Sequence, residues 1–479
     1  MEDYMVFSSI PFLFYFLPVL VIVYYIVPKK LKNSIMIIAS LIFFAWGEIR
    51  FIPVMLGLSV VDFVCGRFME RYRGNKKRRL LFMLIGVCTN LAVLMFFKYT
   101  NFFVGNINFL FGTSIPDPKI ILPMGVSFIS FQSISYAIDV YRGTTNAEKK
   151  YYNYLCYITL FPKIILGPIV RYVTVKKDLE DHQLTRDGFS LGMRRFLIGL
   201  GEKVLIANNV GLLWEQISSG QAGQPTVLLY WLGIIAFTFK IYFDFSGYSD
   251  MAIGIARVFG FTFKENFDSP YISRSITEFW RRWHISLGLW FRDYVFFPIS
   301  GSLAKKKWGL TPAYLTASLA VWLLTGFWHG ASWNFIIWGL YFAALIIIEK
   351  LILSRFWERV PRVFQHVYTM FFVIISWVIF SADGLIGITG GQYLSALFGL
   401  GKLPLWDSRD IFYLLQYALI FILAAYFSTP HFQKVLSRTE ATNSRLLWDV
   451  TTAVYLIVFA ACVAFIVNSS YKPFLYFRF

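Results

Sequence analysis

Apolar runs of about twenty residues recur along the chain, separated by short polar stretches rich in Lys and Arg. A helix needs roughly 17–25 mostly apolar residues to cross a bilayer. On that measure the pattern predicts spans at 7–27, 33–47, 51–70, 80–97, 120–141, 196–213, 226–243, 312–328, 333–351, 364–381, 409–427 and 447–467, the segment 33–47 being short for the task. The first run follows MEDYMV with no basic n-region and no small-residue cleavage site, so it reads as a retained span. The expected fold is an all-α polytopic membrane protein, a multi-helix bundle of about 12 spans forming one domain over 1–479.

Two stretches break the rhythm. Segment 153–170, YLCYITLFPKIILGPIV, carries Pro162, Lys163, Gly167 and Pro168 inside an apolar run. That reads as a broken or re-entrant helix, which is tolerated only where protein or a water-filled cavity covers it. In the section of about 264–308, Trp280, Trp283, Leu287, Trp290, Phe291 and Tyr294 fall at helical spacing. The spacing predicts one amphipathic helix over 280–294 on the cytosolic side, with Arg281, Arg282, Arg292 and Asp293 off the apolar stripe and His284 at its edge.

Composition supports this class. The chain is 57% hydrophobic and 15% charged, with a mean hydropathy of +0.59, outside the range of soluble globular proteins. The net charge of +18 lies in short loops. With the N-terminus outside, the clusters Lys29–Lys32, RYRGNKKRR (71–79), Arg171–Arg195 and Lys264–Lys307 all fall on the inner side, and only isolated residues such as Arg50, Lys98 and Lys402 fall on the outer one. The positive-inside rule then places both termini outside. No nucleic-acid-binding module accompanies the charge. Cys65, Cys88, Cys156 and Cys462 are scattered, with no CxxC and no metal spacing, and read as core thiols.

The candidate chemistry centres on TGFWHGASWNFIIWGL, residues 325–340, where His329 sits at membrane depth among Trp328, Trp333, Trp338 and the small residues Gly330, Ala331 and Ser332. An ionisable group there costs a few kcal/mol and is a functional candidate by default. A neutral imidazole suits a general base because its ordinary pKa lies near 6.5; a histidine hydrogen-bonded between packed helices is the structural alternative. The small residues leave room for substrate or serve close helix packing. His284 lies in EFWRRWHISLGLWFRDY, where the arginine pair Arg281 and Arg282 could hold donor phosphates. In KIYFDFSGYSD, Asp244 and Asp250 could orient a histidine, bind a cation, or pair with Arg257 or Lys264. His182, His366 and His431 read as solvated or structural. No HExxH, GxSxG or P-loop is present. The outer loops, about 98–119, 214–225 and 382–408, are too short to hold a catalytic domain.

These motifs carry a family resemblance. TGFWHGASWNFIIWGLYF resembles the histidine motif of the membrane-bound O-acyltransferases (MBOAT). FSSIPFLFYFLPVLVIVYYIVP, LPMGVSFISFQSISYAIDVYRG, FPKIILGPIVRY, YFDFSGYSDMAIGIARVFGF, NFDSPYISRSITEFWRRWHISLGLWFRDYVFFPISG and the terminal PFLYFRF resemble the AlgI-like polysaccharide O-acetyltransferase subgroup, whose relatives modify peptidoglycan or D-alanylate teichoic acids. The resemblance implies the MBOAT bundle, with His329 matching the embedded catalytic histidine and His284 the second family histidine. It implies acetyl-CoA as the cytosolic donor, with no bound cofactor or metal. It also implies an extracytoplasmic SGNH-type esterase/transferase partner, a polysaccharide acceptor, and a bacterial cytoplasmic (inner) membrane location. Trp328, Trp333, Asn334 and Asp244 are further candidates for substrate or donor contact. The alternatives are D-alanyl transfer and, from another class, a polysaccharide or lipid-precursor transporter.

Overall fold

The computed structural model describes residues 5–306, 309–400, 402–432, 434–435 and 445–468; Lys307 and the terminal PFLYFRF lie outside them. Every regular element among the described residues is helical. Among the described residues, nine helices are long and apolar enough to cross a membrane: Lys29–Arg71, Lys76–Phe111, Arg186–Ser218, Val227–Val258, Leu310–His329, Trp333–Arg355, Arg362–Phe380, Ser408–Phe427 and Trp448–Asn468. The protein is an all-α, multi-pass membrane protein. Predicted segments 33–47 and 51–70 are joined without a polar loop by the 3-10 turn Ile49–Phe51. Segment 120–141 is shorter than expected because its helix starts only after Pro123 and Gly125, and the first run gives the shorter apolar helix Phe12–Ile26.

The chain forms two compact units. The first, Met1–Phe196 with Ser249–Lys264, holds α1 (Leu17–Ile26), α2 (Lys32–Glu48), α3 (Ile52–Arg71), α4 (Lys76–Phe111), α5 (Val126–Arg142), α6 (Tyr151–Thr159), α7 (Phe161–Ile164), α8 (Tyr172–Glu180) and most of α9 (Arg186–Gly201). Asn75 caps α4, its side chain accepting from the Arg78 N–H at 3.0 Å. Phe7, Phe12, Phe16, Phe43 and Phe161 form one aromatic cluster, with centroids 5.0–6.3 Å apart. Segment 153–170 is broken as expected, at Leu160 between α6 and α7. Its irregular backbone is covered by protein, since residues 158–170 are all buried. That satisfies the rule that non-helical backbone in a membrane protein must be shielded from lipid. Gly125, at φ +75°, leaves room for this segment; a Cβ there would stand 2.4 Å from the Ile164 carbonyl oxygen.

The second unit, Leu197–Tyr248 with Glu265–Phe479, holds α10 (Asn208–Ser218), most of α11 (Val227–Val258), α12 (Ile276–Arg282), α13 (Ile285–Phe291), α14 (Phe297–Lys305), α15 (Leu310–His329), α16 (Trp333–Leu351), α17 (Arg362–Phe380), α18 (Gly390–Leu397), α19 (Ser408–Phe427) and α20 (Arg445–Asn468). Helices α15 and α16 form a hairpin whose backbones touch at Gly326 and Gly339. A Cβ on either would lie 2.3 Å from a backbone oxygen, of Phe335 or Trp322 respectively. Small residues permit this approach in membranes, where dispersion and polar contacts drive helix association.

The predicted single amphipathic helix over 280–294 is corrected. The chain makes α12, breaks at Trp283 and His284, resumes as α13, and passes through a π-type stretch, Arg292–Phe296, into α14. His284 takes the left-handed conformation (φ 44°, ψ 54°), which interrupts the hydrogen-bond ladder. The apolar stripe is nonetheless buried at Trp283, Leu287, Trp290, Phe291 and Tyr294.

Candidate active site

His329 is the last residue of α15, where the chain leaves the helix through the extended Gly330. Its side chain is buried, at 6% exposure. The imidazole is walled by Trp328 (centroids 4.9 Å apart), Trp338 (5.0 Å) and Phe380 (5.4 Å). Three helices build this wall, α15, α16 and α17. The Asn334 amide ties the start of α16 to the end of α17, donating to the Phe380 carbonyl at 3.2 Å and the Ile379 carbonyl at 3.4 Å. Gly330 gives no room to a ligand: the Phe335 ring occupies the place of its side chain, 2.2 Å from an ideal Cβ.

His284 is held by hydrogen bonds. Its Nδ1 lies 3.1 Å from Asn266 Oδ1. The same oxygen accepts from the Ser286 backbone N–H (3.1 Å) and hydroxyl (2.8 Å), so it is an acceptor and the imidazole proton sits on Nδ1. The Asn266 carbonyl accepts from the Ile285 N–H at 2.9 Å. Asn266 thereby supplies the break with the backbone partners that a continuous helix would have provided. Nε2 is left with its lone pair, buried, and without a hydrogen-bond partner among the described residues. Burial pushes the His284 pKa down to about 3, so the ring is neutral at physiological pH.

The two imidazoles meet across one indole. Trp328 lies 6.1 Å from His284 and 4.9 Å from His329, between ring centroids. Phe245 (4.7 Å) and Phe267 (6.5 Å) line the other side of His284. The Glu349 carboxylate of α16 fixes α12 by accepting from the N–H groups of Ile276 (2.6 Å) and Thr277 (2.9 Å) at the helix start. Sequence reasoning did not single out Asn266, Glu349, Phe245, Phe267 or Phe380. Only Asn266 carries a local hint, in NFDSPY eighteen positions before His284.

The remaining candidates separate. Arg282 is engaged by Glu278 and Asp268, each at 3.0 Å, while Arg281 is exposed. Asp244 is buried in an ion pair with Lys203, and Asp250 pairs with Arg195 at 2.7 Å. Trp333 is 58% exposed on α16, away from the imidazoles. His182 is buried against Tyr24, with Nδ1 3.2 Å from its hydroxyl. His366 Nδ1 meets the Ser273 carbonyl at 3.1 Å, and His431 is exposed.

Residues 149–389, which contain both imidazoles, match the membrane-bound O-acyltransferase family. The chain is similar to a probable alginate O-acetylase of Pseudomonas putida, 36% identical over 99% of this chain and 100% of that protein. It is similar to a peptidoglycan O-acetyltransferase of Helicobacter pylori, 30% identical over 80% of this chain and 78% of that protein. A teichoic acid D-alanyltransferase of Bacillus subtilis is 30% identical over 56% of this chain and 70% of its own length.

Proposed function

Because the chain belongs to the membrane-bound O-acyltransferase family and is an acyltransferase, we propose that it moves an acetyl group from a cytosolic thioester donor, acetyl-CoA, to hydroxyls of an extracytoplasmic polysaccharide. The observation that carries the reading is the pair of buried imidazoles sharing the Trp328 indole inside the matched segment. The similarity to alginate and peptidoglycan O-acetyltransferases supports an acetyl group and a polysaccharide acceptor over D-alanyl transfer, because the D-alanyltransferase relative covers less of the chain.

In this mechanism His329 accepts the proton of the acceptor hydroxyl as its oxygen attacks the thioester carbonyl. The C–S bond breaks, and the proton passes to the departing thiolate. Each proton transfer of this kind is worth about 10²–10⁴-fold in rate. His284 faces the reaction with the Nε2 lone pair. The aromatic walls exclude water and so limit thioester hydrolysis. The acceptor hydroxyl in this step is carried by an SGNH-type partner, which then passes the acetyl group to a polymer hydroxyl outside, since the chain's outer loops are short.

A second reading exchanges the two histidines. It is favoured by the fixed tautomer of His284, whose Nε2 is already a bare acceptor, ready to act as base or as nucleophile. The test is ester-linked acetate on surface polysaccharide in cells carrying wild type, His329→Ala or His284→Ala at matched membrane levels. Loss of ester in His329→Ala with folded protein supports the reading, and the relative size of the two losses assigns the base. Unchanged ester content in both variants removes it.

A further inference from the structure

The first unit buries a polar cluster that the acyl-transfer site does not use. Asp62 (α3), Asn90 (α4), Ser133 (α5) and Tyr154 (α6) are each at most 1% exposed. Asp62 lies roughly 15 Å from either end of α3, about half the thickness of a hydrocarbon core. The Asn90 amide donates to Asp62 Oδ1 at 2.7 Å and to the Gly86 carbonyl at 3.0 Å. The Ser133 and Tyr154 hydroxyls face the same carboxyl. Yet Asp62 Oδ2, Asn90 Oδ1, Ser133 Oγ and Tyr154 OH each lack a well-formed hydrogen bond among the described residues. Three helices therefore bring one side chain apiece to the carboxylate carried by a fourth.

A carboxylate at this depth is costly without a counter-charge. The buried lysines Lys163 and Lys32 of the same unit do not supply one: the Lys163 ammonium goes to Gln132 and lies 3.9 Å from the Tyr157 ring centroid, and the Lys32 ammonium donates to the Tyr24 carbonyl at 2.6 Å. A proton on Asp62 would satisfy one of the oxygens. A small cation would satisfy all four. The set is carboxylate, amide carbonyl and two hydroxyls, the hard-oxygen chemistry of alkali and alkaline-earth ions. It holds a single carboxylate, and among the described residues no group of three or more His, Cys, Asp or Glu could hold a metal ion. One negative charge balances one positive charge, which favours a monovalent ion over a divalent one.

We propose that Asp62, Asn90, Ser133 and Tyr154 form a sodium site that locks α3, α4, α5 and α6 together. The site is independent of the histidine chemistry, so neither proposal stands or falls with the other.

The test uses the full chain purified in nanodiscs at pH 7.5. Binding of ²²Na⁺ is measured on the wild type, and the thermal unfolding midpoint is followed as NaCl replaces choline chloride at constant ionic strength. Saturable ²²Na⁺ binding near one ion per chain is expected, with a midpoint rise of about 2–4 °C at saturation. Asp62→Asn, which keeps the side-chain shape, should abolish both effects. Ser133→Ala, which removes one ligand, should weaken the apparent affinity severalfold and covers the case in which Asp62→Asn does not fold. Absence of ²²Na⁺ binding to the wild type, or binding unchanged by Ser133→Ala and Asp62→Asn, overturns the proposal and leaves a protonated or water-filled cluster.

Discussion

The two imidazoles of the second unit are both buried, at 1% exposure for His284 and 6% for His329, but different contacts hold them. His329 ends a regular helix and is fixed by aromatic rings from α15, α16 and α17. His284 sits in a helix break, in left-handed backbone, and is fixed by one amide, Asn266. The aromatic walls set where the His329 ring lies, and the Asn266 amide sets which nitrogen of His284 carries the proton. A pair built in both ways can combine a located base with one of defined tautomer.

Replacing the rings tests the comparison most severely. His329→Ala should lower acetyl transfer by about 10²–10⁴-fold if it moves the proton, read as ester-linked acetate, with the thermal midpoint moved little. An equal loss in His284→Ala would mean that the two act as a unit. Next in size is the backing of His329. Gly326→Val forces side-chain atoms into the Phe335 carbonyl, so we expect a loss of about 1–3 kcal/mol or more, read by thermal unfolding in nanodiscs.

Asn266 sharpens the other half. Asn266→Ala should cost about 1–3 kcal/mol of stability by orphaning buried donors, and should reduce kcat more than the donor KM because it frees the ring's tautomer. The pH dependence is smaller. His284 titrates near 6.5 when unfolded and near 3 when folded, so the unfolded chain binds the extra proton between those values. Stability is therefore full above about pH 6.5 and declines as pH falls toward 3, by at most about 1.4 kcal/mol per unit from this group. His284→Gln should flatten that part of a stability-versus-pH curve. Least of all, Trp333→Ala should shift stability within about 0.5 kcal/mol and leave acetyl transfer unchanged, since its ring is exposed on α16.

The same contrast explains what the sequence makes legible. Span positions and the site of His329 follow from hydropathy and from a motif lying within one helix and its turn. The broken segment at 153–170 follows from Pro162, Gly167 and Pro168. The break at His284 does not, because Trp283, Leu287, Trp290 and Phe291 keep helical spacing across it while the compensating oxygen comes from Asn266, in a preceding loop. The surroundings of the arginine pair are only partly legible for a related reason. Glu278 stands one turn before Arg282 and is visible in sequence, but Asp268 reaches it only through the folded loop. The partner of Asp244 is hidden likewise, since Lys203 lies 41 residues away. Trp333 shares the histidine motif yet faces outward, a common position for tryptophan in membrane proteins.

The length of α4 has a consequence for the height of the loop that follows it. Its 36 residues make a rod about 54 Å long. Tilting shortens a crossing, but even at about 40°, the steep end of the usual range, the rod would still rise roughly 41 Å. That matches the full bilayer with its headgroups, about 40–45 Å. With the basic first turn, Lys76 to Arg79, held in one headgroup layer, a rod of that rise would bring Gly112 and the segment after it to the aqueous edge of the other, so a soluble protein resting on that surface would meet the loop without having to enter the lipid.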